Sequence, residues 1–208
     1  MPPTTPPPDL LSLLPAGRIE FGPAEPMSED DFFDVCQRVD HLFFERDANG
    51  HVIVMPPAGS YSSNRSGRIF AQLLRWSDRT NRGVSFESSA GFTLPNGATR
   101  APDAAWVASD RLAALPDDTK EKFLPLAPDF AVEVRSQHDQ RHDLEEKMQE
   151  YITNGTRLAW LVDPYEETVD VYRDDDTVEH HEKPDALSGA PLLPDFTCDF
   201  ARVWDPSY

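Results

Sequence analysis

Cysteine is scarce in this chain, which rules out a disulfide framework as the means of holding the fold together. Only Cys36 and Cys198 occur among 208 residues. They lie far apart in sequence and lack any CxxC or Cys/His ligand spacing, so both are expected as free thiols. The adjacent His180-His181 pair has no third or fourth ligand nearby and its side chains diverge, which favours a solvated loop over a zinc site. Long apolar runs are missing too. Nothing approaches the ~20 residues of a membrane span, and the N-terminus lacks the charged-then-apolar layout of a signal peptide. A cytoplasmic protein with no membrane partner is expected. Basic residues are few: 19 Lys and Arg stand against 37 Asp and Glu, a formal net charge of −18. That balance opposes non-specific attraction to a polyanion. It leaves room for a local basic groove, and for carboxylates that gather a divalent cation. A Gly-rich phosphate loop, a G-x-S-x-G nucleophile elbow and internal repeats are also absent.

Proline, by contrast, is plentiful, with 20 residues. The run "MPPTTPPPDLLSLLPAG" predicts a flexible arm over residues 1–17, followed by a single domain over 18–208. Ser28 to Val39, with acidic residues in its first turn and Phe32, Val35 and Val39 at helical spacing, predicts an N-capped helix. "HLFFERDANGHVIVMPP" predicts a hairpin turning at Asn49-Gly50. Ser60 to Thr80 carries Ile69, Phe70, Leu73, Leu74 and Trp76 on one side and predicts a long amphipathic helix. The chain's densest run of arginines lies along it, readable as a solvated face or as phosphate contacts. Short strands follow in "VSFESSAGFTL" and "RAPDAAWV", joined by a turn at "PNGA", and a short helix is expected near Ser109 to Leu115. "DFAVEVRS" predicts a half-exposed strand, with Phe130, Val132 and Val134 on one face and Ala131, Glu133 and Arg135 on the other. A helix over Asp139 to Asn154, closed by Gly155, precedes the nearly all-apolar strand "RLAWLVDP", expected to be central, and then "TVDVYRD". "PLLPDFTCDFARVW" is expected to pack back on the core. The sum is an α/β fold with a mixed β-sheet flanked by helices.

Glu133 is a carboxylate in the middle of a strand, and two residues elsewhere are natural partners for it. Asp103 follows Pro102 at the start of a strand and shares a face with Ala105, where small side chains leave space for an ion. Lys147 lies about 40° from Tyr151 around a helix whose apolar stripe is Leu144, Met148, Tyr151 and Ile152, so it borders the buried face. Its bland reading is a lysine that snorkels to solvent. Two carboxylates and a lysine suit metal-assisted phosphodiester hydrolysis, because magnesium takes oxygen ligands and often only one or two carboxylates. Without a metal, two carboxylates could instead act as an acid/base pair.

The order Pro102-Asp103, then Glu133-Val134-Arg135, resembles the PD-(D/E)xK nuclease superfamily. The fragments "FERDANGHVIVMPPAG", "SSAGFTLPNGATRAPDAAWV", "PDFAVEVRSQHD", "LEEKMQEYITNGTRLAWLVDP" and "VDVYR" are similar, in joint order and spacing, to the Uma-two family of endonucleases, over roughly Phe44 to Arg173. The resemblance implies a restriction-endonuclease-like fold and magnesium-dependent cutting of DNA, with manganese an alternative ion. It implies that Asp103 and Glu133 are metal ligands with the Val134 carbonyl as a third, that Lys147 assists the attacking water, and that Glu45 is an accessory ligand or water-positioning residue. Arg135 stands where the wider superfamily has its lysine, and Lys147 on the following helix takes that place. A homodimer is expected, since cutting both strands of a duplex usually takes two sites. Two other readings stand beside this one. A catalytically silent binding or oligomerisation module of the same fold would suit the acidic charge, and a metal-dependent hydrolase of small phosphorylated molecules would suit the same residues.

Overall fold

A computed structural model of the chain describes residues 19–22, 27–38 and 42–206, so the expected arm over 1–17 lies outside the described residues. A short strand β1 (Ile19–Phe21) and helix α1 (Glu29–Arg38) come first. Ser28 caps α1, its hydroxyl accepting from the Asp31 N–H at 3.1 Å and donating to the Asp31 carboxylate at 2.6 Å, as the run Ser-Glu-Asp-Asp predicts. Strands β2 (Phe43–Arg46) and β3 (Val52–Met55) form the expected hairpin. Asp47 closes its turn by accepting the N–H groups of Asn49 and His51, and Gly50 takes the positive φ of 86° that the turn demands. Helix α2 (Ser60–Thr80) has the bounds read from its periodicity.

Strands β4 (Gly83–Glu87), β5 (Phe92–Thr93), β6 (Thr99–Arg100) and β7 (Ala104–Ala108) follow, then α3 (Ser109–Ala113), β8 (Phe130–Val134) and α4 (Arg141–Thr153). The chain continues through β9 (Leu158–Asp163), β10 (Thr168–Arg173), β11 (Val178–Glu182), β12 (Ala186–Ser188), β13 (Thr197–Asp199) and α5 (Ala201–Trp204). One sheet runs β1-β3-β2-β6-β5, and the principal one runs β11-β10-β9-β8-β7-β4. Only β8 and β9 pair in parallel there, joined by α4 as their crossover. No described helix is long and apolar enough to cross a membrane.

Two helices cover opposite faces of the principal sheet. Ile69, Leu73 and Trp76 of α2 pack on Ala104, Trp106, Phe130, Val132, Val134, Trp160 and Val162, with Phe196, Phe200 and Val203 of the returning C-terminal segment. Met148, Tyr151 and Ile152 of α4 pack on Ala105, Val107, Ala131, Ala159 and Leu161. Strand β8 is therefore buried along its whole length, which corrects the half-exposed strand expected from its alternation. The alternation is real, but α4 covers the second face. His180 and His181 likewise lie on edge strand β11 rather than in a loop, with His180 Nδ1 2.6 Å from Asp170. Both cysteines are free, and Cys198 is in the core.

Trp160 is fully buried, stacked on Phe196 at 6.0 Å between ring centroids and edge-on to Phe130 at 5.0 Å, while its indole N–H has no partner. Trp160→Ala is expected to cost about 3–5 kcal/mol in a urea melt through the cavity it opens. Trp160→Phe, which keeps a ring and removes the orphaned donor, should cost well under half as much. Equal losses for the two variants would contradict this packing account.

Candidate active site

The site lies where the two sheets meet. Arg100 ends β6 in the smaller sheet, Ala101-Pro102 redirects the chain, and Asp103 precedes β7 in the principal sheet. The β7–β8 register pairs Ala104 with Val132 and Ala105 with Ala131. One further step brings Asp103 opposite Glu133, and both take the face covered by α4. Directly opposed residues have Cβ atoms about 4.5–5.5 Å apart. The two are also tied through the backbone, since the Val134 N–H donates to Asp103 Oδ2 at 2.7 Å. A row of alanines, Ala105, Ala131 and Ala159, lies across three neighbouring strands on this face. It lets α4 approach closely, so side chains of that helix reach Glu133.

Lys147 does so. Its Nζ is 2.7 Å from Glu133 Oε1 and 2.7 Å from Glu45 Oε1, and only 11% of the side chain is exposed, so it does not snorkel to solvent. Glu45 on β2 is held on three sides: by Lys147, by the Ala101 N–H at 3.0 Å and by Arg100 Nη1 at 3.2 Å. In this arrangement Glu45 serves as the counter-ion of two cations. Two participants went unread in the sequence. Arg100 bridges Glu45 to Glu150, its Nε 2.6 Å from Glu150 Oε2. Tyr151, read as part of an apolar stripe, is fully buried but donates its hydroxyl to Glu133 Oε1 at 3.0 Å. A polar tip on a residue four places from Lys147 was the available signal for it. Arg135 turns away, with Nη1 2.8 Å from Asp163 at the end of β9.

The charge states follow from this crowding. Burial pushes Glu133 up to about 8, and the Asp103 and Glu45 carboxylates add to that, against the pull of Lys147. Burial also pushes Asp103 up to about 6, opposed by the Val134 N–H and Lys147 and reinforced by Asp139 and Glu45. Glu45 moves the other way: burial would raise it, but Lys147 and Arg100 together hold it below the ordinary glutamate value. Burial alone would lower Lys147, yet Glu133 and Glu45 keep its ammonium well above the usual lysine range. A raised lysine beside a raised glutamate looks contradictory for an ion pair. It resolves because one ammonium faces two carboxylates: Glu45 is the ionised partner, and Glu133 retains a proton near neutrality.

A mixed sheet flanked by helices, with α4 as the crossover between its two parallel strands, is the arrangement that the resemblance to restriction-endonuclease-like proteins implies. The solved structure of "a putative nuclease belonging to DUF820" from Anabaena variabilis ATCC 29413 superposes with a TM-score of 0.69, covering 86% of this chain and 98% of that one at 19% identity. At that identity the likeness is one of fold. The family model described as "Uma2: Putative restriction endonuclease" matches residues 30–201, and the chain belongs to that family. No curated protein matches it.

Proposed function

We propose that the chain is a metal-dependent endonuclease hydrolysing phosphodiester bonds of DNA. Asp103 and Glu133 hold magnesium, or manganese in its place, and Lys147 assists the attacking water. The family description and the nuclease fold support the class of reaction. The observation that carries the finer reading is the opposed pair Asp103 and Glu133, both driven toward protonation by burial and by neighbouring carboxylates. A hard cation with oxygen ligands would relieve that repulsion, and this donor set contains only oxygen. No group of three or more His, Cys, Asp or Glu among the described residues is placed to hold a metal. A magnesium ion bound by two carboxylates, the Val134 carbonyl, water and substrate phosphate needs no such group.

When bound, the ion would supply a more acidic water and a polarised phosphoryl group. The chain's own residues do the rest. Glu133 would hold the ion as a carboxylate, its proton passing to solvent, and the Tyr151 hydroxyl orients that carboxylate by donating to its Oε1. Lys147, kept charged by Glu45, offers an ammonium to the attacking water or to the charge developing on the phosphoryl oxygens. Arg100 fixes Glu45, and through it the position of Lys147.

A supercoiled-plasmid nicking assay tests this. Nicking is expected with magnesium, none with excess EDTA, and recovery when magnesium is returned; Asp103→Ala should stay inactive throughout. Cleavage that persists in EDTA or in Asp103→Ala would place the activity elsewhere. Because Glu133 must lose its proton to bind the ion, calorimetric magnesium titrations in two buffers of different ionisation enthalpy should show proton release. Affinity should fall as pH drops from about 8 toward about 6. The acidic net charge favours the second reading, a silent binding module of the same fold. Magnesium binding without any nicking, on plasmid or single-stranded DNA, would support it.

A further inference from the structure

The loop between β8 and α4 is tied at both ends to one buried carboxylate. Asp163, the last residue of β9, is fully buried. Its Oδ2 accepts from Arg135 Nη1 at 2.8 Å and from Arg141 Nη1 at 3.1 Å. Arg135 directly follows Val134 at the end of β8, and Arg141 is the first residue of α4. The other oxygen, Oδ1, accepts the Tyr165 and Glu166 N–H groups at 3.0 and 3.2 Å and sets the turn after β9. Each guanidinium is aimed by further partners. Arg135 Nε donates to the Asp139 carbonyl at 3.2 Å, and Arg141 spans from Glu145, 2.8 Å from its Nε, to Asp170 on β10. Little else fixes the start of α4. Gln140 at its N-cap makes no side-chain hydrogen bond, and Met148 is the first side chain of the helix to be buried. Lys147 therefore lies between an ionic tether at Arg141 and the apolar packing that begins at Met148.

We infer that Asp163 is a positioning residue for the candidate site: its Oδ2 joins the end of the strand that carries Glu133 to the start of the helix that carries Lys147. The inference rests on the nuclease reading above, in which those two side chains act together. Stability alone is a weak reason for such a cluster, since replacing buried ion pairs by apolar side chains of similar size is often neutral or stabilising. Direction is what it supplies. A guanidinium is a planar fork, so Arg141 meets Asp163 and Asp170 at once and fixes the rotation of α4 about its axis. Lys147 lies about 9 Å further along that axis, so a small change of rotation moves its ammonium against Glu133 and Glu45. A displacement of about 1 Å at reacting groups can cost ~100-fold in rate.

Asp163→Asn separates the work of the two oxygens, because an asparagine keeps Oδ1 for the turn and directs an N–H donor at the arginines. In the plasmid assay with magnesium its kcat should fall by about 10–100-fold with KM for plasmid unchanged, the scale of losing a partner one shell outside a metal. Arg141→Lys, which keeps the charge without the fork, should lose about 10-fold, at the lower end of that scale. Phe200→Leu, which opens a cavity in the core on the opposite face of the sheet, should lower the melting temperature and leave kcat at the native value. A second measurement needs no catalysis. Amide hydrogen exchange in EDTA should show the Val134 N–H, which Asp103 holds, and the first turns of α4 exchanging at least ~10-fold faster relative to the middle of β9 in Asp163→Asn and Arg141→Lys, a ratio that Phe200→Leu should not raise. If Asp163→Asn does not fold, Arg141→Lys carries both measurements. Native kcat in the two variants, a change in KM alone, an equal loss of kcat in Phe200→Leu, or native exchange ratios would each overturn the positioning role. A native protein that never nicks sinks the nuclease reading, and the exchange ratios then decide the tie between strand and helix by themselves. Nicking that Asp163→Asn leaves untouched does the reverse, keeping the nuclease and removing the tie.

Discussion

Glu133→Gln is expected to abolish nicking while leaving the protein as stable as the native chain or more so. The loss of activity follows from the proposed role as ligand. Residues one shell out from a metal typically cost about 10–100-fold on mutation, so replacing a ligand should exceed ~100-fold. The gain in stability follows from the environment. Glu133 is 6% exposed and raised from 4.5 to about 8, first by burial and then by Asp103 and Glu45. A group raised in the folded state contributes stability that is fully present below its unfolded value and is lost as pH rises through its folded value. The native chain should thus lose stability between about 4.5 and about 8 on account of this residue, by on the order of 3 kcal/mol at neutral pH. Glutamine cannot ionise, and its carbonyl can still accept from Tyr151 and Lys147, so the variant should lack that decline. Urea melts across the window would show the two curves diverging as pH rises. Parallel curves would mean that Glu133 is not a strained carboxylate, and full nicking by the variant would remove it from the chemistry.

The placement of these residues was legible in the sequence to different depths, for identifiable reasons. The faces of β7 and β8 follow from the two-residue period alone, which is why Asp103 and Glu133 could be assigned before the register was known. The phase of α4 likewise placed Lys147 at the border of its apolar stripe, one turn from Tyr151. Alternation says nothing about what lies above a face, however, so Glu133 read as half-exposed when α4 buries it. Tyr151 was hidden by its own ring, which satisfies an apolar pattern whether or not its hydroxyl has work to do. Arg100 was hidden by distance: its partners Glu45 and Glu150 lie 55 and 50 residues away, joined only by the meeting of two sheets. The arginines of α2 and just beyond it divided in a way no pattern showed, with Arg65 buried against Val203 and Arg75, Arg79 and Arg82 in solvent. Arg135 could be recognised as out of place for a catalytic lysine, but only the end of β9, where Asp163 lies, explains where it goes.

Lys147→Met is expected to behave as the opposite of Glu133→Gln, losing both activity and stability. The ammonium is the closest cation to two buried carboxylates, at 2.7 Å from each. Glu133 can absorb the loss by keeping its proton, but Glu45 is held ionised by Lys147 and Arg100 together and is left with one cation. Breaking a buried pair by removing one partner typically costs about 3–5 kcal/mol, and this variant should fall toward the lower end because Arg100 and the Ala101 N–H remain. The sign with pH is fixed by Glu45. Its folded value is depressed, so its contribution is present above the unfolded value and lost as pH falls through the folded one. The deficit of Lys147→Met should therefore be largest at neutral pH and shrink in acid, where Glu45 would be neutral in either protein. Adding Glu45→Gln to Lys147→Met removes the uncompensated charge and should recover most of the stability, since replacing a whole buried pair is close to neutral. Nicking should stay at the level of Lys147→Met in that double variant, because no ammonium has been returned to the water. Recovery of nicking along with stability would reduce Lys147 to a structural counter-ion and leave the proposed mechanism without its assisting group.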